Sequence, residues 1–242
     1  MTPDIVTVGG ASLILGDAAF LAEAHAGRAG VIVTDPPYRL TSGGVPKVGG
    51  PHRTMGGIFH PDAYDNGGAL MATPGWGEVS ASIARLAAPD CDLYVFANDK
   101  NVFAAQSALA ARRLRLHNLL IWDKCAATPN RWYMKRAEFV LYMWKGRARR
   151  IANAGDGQIM ACPAPRGAGK IHETEKPVDL LRRLIANSAR MGETVYDPFA
   201  GSASTLVAAE TEGFPSVGFE VDAGRFERAA KRLERDLGKR WA

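Results

Sequence analysis

Runs of consecutive apolar residues mark the buried strands of this chain. VIVT at 31–34 is continuous and β-branched, which is typical of a strand covered on both faces. LHNLLIW at 116–122 and EFVLYMW at 138–144 are successive apolar runs and are candidates for an antiparallel pair. The predicted strands are the N-terminal β-rich run IVTVGGASLIL, 31–34, 92–97, 116–122, 138–144, 194–197 and 216–220.

Segments with the periodicity of a helix lie between most of these strands. AAFLAEAHAG begins after Asp17 and ends at Gly27, and KPVDLLRRLIANSA carries Pro177 at an early helical position. Alternation of strands and helices predicts an α/β fold with a mostly parallel sheet and ligands at the carboxyl ends of the strands. The other predicted helices cover about 76–88 and 100–113 and begin near Ser204 and Asp222.

Two long segments interrupt this alternation. Residues 39–77 and 146–171 are rich in Gly and Pro, or in Gly, Arg, Ala and Pro, and read as loops. A loop as long as the first is usually functional inside a compact domain. Neither an internal repeat nor a domain boundary is visible, so residues 1–242 are interpreted as a single domain.

Composition narrows the class of protein. The chain has 242 residues, of which 47% are hydrophobic and 23% charged, as in a globular protein with a large core. No apolar run approaches the ~18 residues of a membrane span, and an acid stands where a signal peptide needs basic residues. Three scattered cysteines and five scattered histidines favour a reducing compartment and no metal site. We therefore expect a cytoplasmic protein.

The charge is mildly basic. A net charge of +5 and a pI near 9.2 are compatible with a polyanionic partner but do not select one. Arg131, Lys135 and Arg136 are interleaved with Trp132 and Tyr133, a mixture that suits phosphate contact beside base stacking. Other basic clusters, and the Lys/Arg-rich C-terminal helix, are interpreted as solvated surface.

Two strand ends carry candidate chemistry. VIVTDPPYRL ends a buried strand with Asp35, Pro36, Pro37 and Tyr38, which is either a strand-terminating turn or a grip for a flat, nitrogen-rich substrate. VYDPFAGSASTLVAAE turns from a strand into a helix through small residues that let a ligand approach the backbone. Glu220 ends the next strand nineteen positions after Gly201, where an acid can accept hydrogen bonds from ribose hydroxyls. The G-x-G-x-x-G pattern is absent, which favours a nucleoside without phosphates over NAD.

These residues together resemble a known family. TDPPY with DPFAGSAS is similar to the DNA amino-methyltransferases, which use S-adenosylmethionine to methylate N6 of adenine or N4 of cytosine. The motif order is similar to one class of that family: D-P-P-Y first, then HETEKP at 172–177, then FAGSA at 199–203. LLIWDK and KRAEFVLYMWKG also resemble the region after the catalytic strand. The resemblance implies the Rossmann-like class I methyltransferase fold, with helices on both faces of the sheet.

The resemblance also implies roles for individual residues. The Asp35 side chain and the Pro36 carbonyl would accept the two N–H groups of a target amine, with Pro37 stiffening the strand end. Tyr38 would stack on a base flipped out of double-stranded DNA. Arg39, Lys124, Arg131, Lys135 and Arg136 are candidates for DNA contact. The implied cofactor-binding residues are Asp35, Thr174, Lys176, Asp197, Phe199, Ala200, Gly201, Ser202 and Glu220.

Two departures from the family pattern bear on function. Ala203 stands where the cofactor turn usually has glycine, which is harmless if φ is negative there and harmful if φ is positive. The gap between Gly146 and Lys176, where a recognition segment is usual, is short. Either the 39–77 loop reads DNA sequence, or specificity is loose, or a second subunit of a homodimer supplies contacts.

The target base and the activity class remain open at this point. Asp35 at the head of the motif favours adenine, because serine is frequent there in N4-cytosine enzymes. N4-cytosine, an amine in RNA, and a non-catalytic nucleic-acid-binding module of the same fold are the alternatives, and an oxidoreductase is disfavoured by the missing glycine trio. The sequence does not distinguish an orphan methylase from one with a restriction partner.

Overall fold

The computed structural model of the chain describes residues 3–37, 74–128, 133–165 and 175–241. Its elements follow the predicted alternation. The strands are β1 Ile5–Val8, β2 Ala11–Leu15, β3 Ala29–Thr34, β4 Ala87–Ala97, β5 Arg115–Thr128, β6 Lys135–Trp144, β7 Ile159–Ala161, β8 Thr194–Asp197 and β9 Ser216–Glu220. The helices are α1 Ala18–Ala24, α2 Trp76–Leu86, α3 Val102–Ala111, α4 Val178–Ser188, α5 Ser204–Thr211 and α6 Ala223–Trp241.

The nine strands form one sheet in the order β1-β2-β9-β8-β3-β4-β6-β5-β7. Neighbours from β2 to β4 are parallel, as are β5 and β7. β6 runs antiparallel to both β4 and β5, and β1 runs antiparallel to β2. The predicted mostly parallel sheet with an antiparallel pair is confirmed.

Helices cover both faces of the sheet. Every residue of β3 is buried, which explains its unbroken apolar sequence. On one face, Ile32 packs in a core shared with α1, α2 and α3. On the other, Val31 and Val33 pack with the leucines of α4 and with α5. A third cluster joins β2, α5 and α6.

The structure corrects several predicted boundaries. The segment 146–171 contains the edge strand β7, whose three residues are too few to show a period and which pairs with β5 through Ile159 and Ile121. The 39–77 segment ends before 77, because α2 begins at Trp76. Pro177 lies just outside α4 as its N-cap, in an extended conformation with ψ of 129°.

Candidate active site

The candidate site lies where two neighbouring parallel strands end. β3 and β8 pair through Ile32 and Tyr196. After β3 the chain returns to the sheet as β4, and after β8 it returns on the other side as β9. In open α/β sheets, ligands usually bind at the carboxyl ends of the strands where the chain diverges in this way. Asp35 and Asp197 both stand at this point.

Asp197 is held by the ends of both strands. Its Oδ1 accepts a hydrogen bond from Thr34 Oγ1 at 2.7 Å and one from the Phe199 backbone N–H at 3.1 Å. Burial raises the pKa of Asp197 to about 6, even though hydrogen bonds from Thr205, Thr34 and Phe199 oppose the rise. The hydrogen bonds therefore fix the position of the carboxylate, and the raised pKa means that it takes up a proton only slightly below neutral pH.

Asp35 forms a buried charge network with Lys176. Lys176 Nζ lies 2.5 Å from Asp35 Oδ2 and 3.3 Å from Glu138 Oε2, and Lys124 Nζ lies 3.2 Å from Glu138 Oε1. Lys176 is 7% exposed, so its ammonium group is buried although it lies directly before a helix. One ammonium group thus ties the end of β3 to the start of β6.

The charges in this network are not equally matched. Burial raises the pKa of Asp35 despite the attraction of Lys176. Burial also disfavours the charged forms of Lys176 and Glu138, but their opposite charges outweigh it. The pKa of Lys176 is therefore raised and that of Glu138 lowered. Asp35 is the group in the network whose charge is least well compensated.

One oxygen of Asp35 is left over. Asp35 Oδ1 is buried and accepts no hydrogen bond from residues 3–37, 74–128, 133–165 or 175–241. A buried carboxylate oxygen without a donor is costly unless a ligand supplies one. Since Lys176 holds Oδ2, the arrangement presents Oδ1 as an acceptor for an N–H group.

The turn after β8 is built around Glu220. Glu220 Oε2 accepts a hydrogen bond from the Gly201 N–H at 3.1 Å, and its Oε1 accepts one from the Asp222 N–H at 2.8 Å. The side chain is 6% exposed, so this acid is not a solvated strand end. Gly218 lets the turn approach, because a Cβ there would lie 2.7 Å from Leu206 Cδ1 and 2.8 Å from Ala200 Cβ.

Ala203 adopts the conformation that the sequence identified as the harmful case. Its φ is 59° and its ψ 23°, in the left-handed region, and it caps the N-terminus of α5. Gly201 is also left-handed, with a φ of 51°. The methyl of Ala203 is completely buried among the residues that join β2, α5 and α6. Packing of this methyl offsets part of the backbone strain.

The structure brings most of the predicted residues to one edge of the sheet. Asp35, Pro36 and Pro37 directly follow β3, Lys176 precedes α4, and Asp197, Phe199 to Ser202 and Glu220 surround the turn after β8. Their roles remain predictions. Tyr38, Arg39, Arg131 and Thr174 lie outside the described residues. Glu138 was missed by sequence reasoning, although an acid beginning the apolar run EFVLYMW was a usable signal.

The described basic candidates are all paired with carboxylates. Arg136 Nε lies 2.5 Å from Asp123 Oδ1, and Lys135 Nζ lies 3.4 Å from Asp99 Oδ1. Both cations are solvent-accessible, with side chains 58% and 37% exposed, and can reach a polyanion. Lys124 differs, because it pairs with Glu138 at the inner side of the site.

The described residues contain neither a membrane-spanning helix nor a metal-binding cluster. No helix in residues 3–37, 74–128, 133–165 and 175–241 is long and apolar enough to cross a membrane. The same ranges hold no cluster of three His, Cys, Asp or Glu side chains that could bind a metal ion.

Comparisons with known proteins agree on one group. The model of a family described as DNA methylase, of the N6/N4 type, matches residues 153–232, which include Lys176, the turn and Glu220. The chain is 28% identical over 227 residues to the type II methyltransferase M2.DpnII of Streptococcus pneumoniae, covering 84% of this chain and 82% of that protein.

Two solved structures share the fold. The complex of M1.HpyAVI with SAM superposes with a TM-score of 0.68 at 19% identity, covering 92% of this chain and 98% of that one. The cytosine-N4-specific PvuII DNA methyltransferase has a TM-score of 0.69 at 15% identity, with 96% and 93% covered.

Proposed function

We propose that the chain is a DNA methylase of the N6/N4 type and that it methylates N6 of an adenine flipped out of double-stranded DNA. The methyl donor is S-adenosylmethionine. The observation that carries this proposal is the buried Oδ1 of Asp35, which accepts no hydrogen bond from the described residues and lies at a strand end next to that of Asp197. Asp35 at the head of the D-P-P-Y motif favours adenine as the target.

The residues present fit S-adenosylmethionine. Glu220 is a buried carboxylate at the carboxyl end of β9, hydrogen-bonded to the Gly201 N–H of the turn, and its two oxygens suit the two hydroxyls of a ribose. Asp197, at the carboxyl end of β8, offers a carboxylate for the cationic amino group of the methionine part of the cofactor. When bound, S-adenosylmethionine supplies an electrophilic methyl group on a sulfonium. Glu220, Asp197 and the Phe199 to Ser202 turn would hold it.

Asp35 and Pro36 act on the amine. The lone pair of an exocyclic amino group is delocalised into the ring, so the nitrogen is a poor nucleophile. Asp35 Oδ1 and the Pro36 carbonyl oxygen would each accept a hydrogen bond from one N–H of the amine. This favours a pyramidal nitrogen whose lone pair can attack. Positive charge develops on that nitrogen in the transition state, and the Asp35 carboxylate stabilises it. The raised pKa of Asp35 also suits its Oδ1 to accept the proton that the methylated amine must lose.

Lys176 limits the freedom of Asp35. By fixing Oδ2 at 2.5 Å it leaves one oxygen and one orientation for the target amine. Glu138 in turn holds Lys176, so that the ammonium does not move toward the substrate. Alignment of this kind, rather than a covalent intermediate on the protein, supplies much of the rate enhancement.

A labelling experiment tests the proposal. The protein is incubated with tritiated S-adenosylmethionine and unmethylated DNA, and the digested nucleosides are separated by chromatography. Label in N6-methyl-2′-deoxyadenosine is expected for the wild type and none for Asp35→Ala. Absence of label in any base, with cofactor binding intact by calorimetry, would instead support an RNA substrate or a non-catalytic binding module.

N4 of cytosine is the second candidate target. It is supported by the likeness to the cytosine-N4-specific PvuII enzyme, and both amines present the same two N–H groups to Asp35 and Pro36. Label in N4-methyl-2′-deoxycytidine would select it. A homodimer also stays a prediction: sedimentation that shows only monomer, with and without DNA, would contradict it.

A further inference from the structure

A buried arginine lies on the helix that the sequence marked as solvated. Arg232 of α6 is 5% exposed, and the neighbouring Ala229 and Leu233 are fully buried. An isolated charge in such a place is strongly unfavourable, so a buried arginine requires several hydrogen-bond acceptors. Its partners therefore indicate why it is there.

The Arg232 guanidinium reaches three parts of the chain. Its Nη1 donates to the Ser202 carbonyl oxygen at 3.1 Å and to Ser204 Oγ at 2.9 Å. Its Nη2 lies 2.7 Å from Glu175 Oε1, and its Nε donates to Asp236 Oδ2 at 3.2 Å. The Glu175 side chain is 7% exposed, so this ion pair is buried on both sides.

These partners belong to the two halves of the candidate site. Ser202 lies in the cofactor turn between Gly201 and Ala203, which are both left-handed. Glu175 directly precedes Lys176, whose ammonium holds Asp35. One guanidinium thus touches the turn that would bind the cofactor and the segment that fixes the catalytic carboxylate.

The turn needs such support. Gly201 and Ala203, on either side of Ser202, both have positive φ. A backbone with such closely spaced left-handed residues is stable only where surrounding contacts hold it in place. The hydrogen bond to the Ser202 carbonyl fixes the residue between the two left-handed positions. The hydrogen bond to Ser204 Oγ fixes the first residue of α5. The rigid fork of an arginine can serve these acceptors and Glu175 at once, which a lysine cannot.

We propose that Arg232 is a positioning residue that couples the cofactor turn to the Asp35–Lys176 pair. The proposal rests on the proposed function, because it assigns the turn to S-adenosylmethionine. Loss of the fork leaves the Ser202 carbonyl without its donor and lets the Glu175–Lys176 segment shift. Weaker cofactor binding and slower methyl transfer then appear together.

The test uses four variants of the full chain. Arg232→Lys keeps the positive charge beside Glu175 but removes the fork, and Glu175→Gln removes the buried partner. Lys231→Met is the charge control, since Lys231 is an exposed neighbour on the same helix. Leu237→Val is the stability control, because Leu237 is 1% exposed in α6 and belongs to the same buried cluster as Ala203, but its apolar side chain makes no hydrogen bond to the turn.

Three quantities are measured for each variant: the Kd for S-adenosylmethionine by calorimetry, kcat for methyl transfer to DNA, and the melting temperature without cofactor. For Arg232→Lys we expect the cofactor Kd to rise about tenfold and kcat to fall by a similar factor, with the KM for DNA nearly unchanged. Glu175→Gln should show a smaller change in the same direction. Lys231→Met should match the wild type.

The outcomes separate the coupling from simple stabilisation. If Leu237→Val lowers the melting temperature as much as Arg232→Lys yet leaves the cofactor Kd unchanged, the positioning role is supported. Equal cofactor Kd values for Arg232→Lys and wild type, or an equal rise in Leu237→Val, would overturn the coupling alone. A wild-type protein that binds no S-adenosylmethionine would overturn both the coupling and the proposed function.

Discussion

At the scale of single residues, Asp197 makes the stability of the protein depend on pH. Its pKa is about 6 in the folded protein against an ordinary value of 3.8, so between these values the folded state binds more protons than the unfolded chain. The free energy of unfolding due to this group therefore rises as the pH falls through 6. Above that window the ionised carboxylate destabilises the apo protein.

Asp197→Asn should remove this contribution. At about pH 8 the variant is expected to be more stable than the wild type by up to about 3 kcal/mol, and the difference should shrink toward about pH 5. Its melting temperature is measured against pH beside that of Asp99→Asn, an exposed carboxylate, as control. A residual slope of the same sign is expected from Asp35, whose pKa is also raised by burial. A stability difference that grows on acidification would contradict the assignment.

Asp35→Asn should reduce turnover far more than DNA binding. The amide keeps an oxygen near the position of Oδ1 but loses the negative charge that stabilises the developing cation. Loss of one pre-organised electrostatic contact typically lowers kcat by about 10²–10³-fold. Single-turnover methylation and DNA binding are measured together, with Asp99→Asn as the control, because Asp99 is an exposed carboxylate that follows the carboxyl end of the neighbouring strand β4. Equal losses of DNA affinity and turnover would instead make Asp35 a binding residue.

At the scale of elements, the turn before α5 balances backbone strain against packing. A left-handed Ala costs about 1–2 kcal/mol relative to Gly. Ala203→Gly relieves this cost but loses a buried methyl worth about 0.8 kcal/mol and adds chain entropy to the unfolded state. We expect a change of less than about 1 kcal/mol in the free energy of unfolding and a cofactor Kd within a few-fold of wild type.

Ala203→Val is the opposite case. A β-branched side chain is poorly tolerated at positive φ, and this position is already fully buried. We expect destabilisation by roughly 2 kcal/mol or more and weaker cofactor binding. Chemical denaturation and calorimetry of the Gly and Val variants check both expectations. A stable Val variant with normal binding would show that the turn can relax.

The strand ends were predictable and the bridges between them were not. Asp35, Asp197 and Glu220 each follow an apolar run that identifies a strand on its own, so local pattern places them at one edge of the sheet. Glu138 and Arg232 act through partners 38 and 57 residues away in sequence, Lys176 and Glu175. No periodicity encodes such contacts. The sign of φ at Ala203 was also undecidable, because alanine normally avoids the conformation that the turn imposes.

At the scale of the whole molecule, the two ends of β6 provide a matched test of the DNA-binding face. Arg136 near its start pairs with Asp123, and Arg147 just after its end pairs with Asp90 at 2.7 Å. Both arginines are exposed, so neutralising either lowers the net charge of +5 by one unit. Only Arg136 stands at the edge of the sheet that holds Asp35 and Asp197.

Arg136→Ala and Arg147→Ala should therefore differ although their effect on total charge is the same. If Arg136 contacts a phosphate, its loss weakens DNA binding and reduces the slope of log K against log salt by about 1, whereas Arg147→Ala leaves the slope unchanged. DNA titrations at several salt concentrations measure both. Equal small losses would mean that the molecule attracts DNA only through its overall charge, and a larger effect at Arg147 would place the DNA at the opposite edge of the sheet.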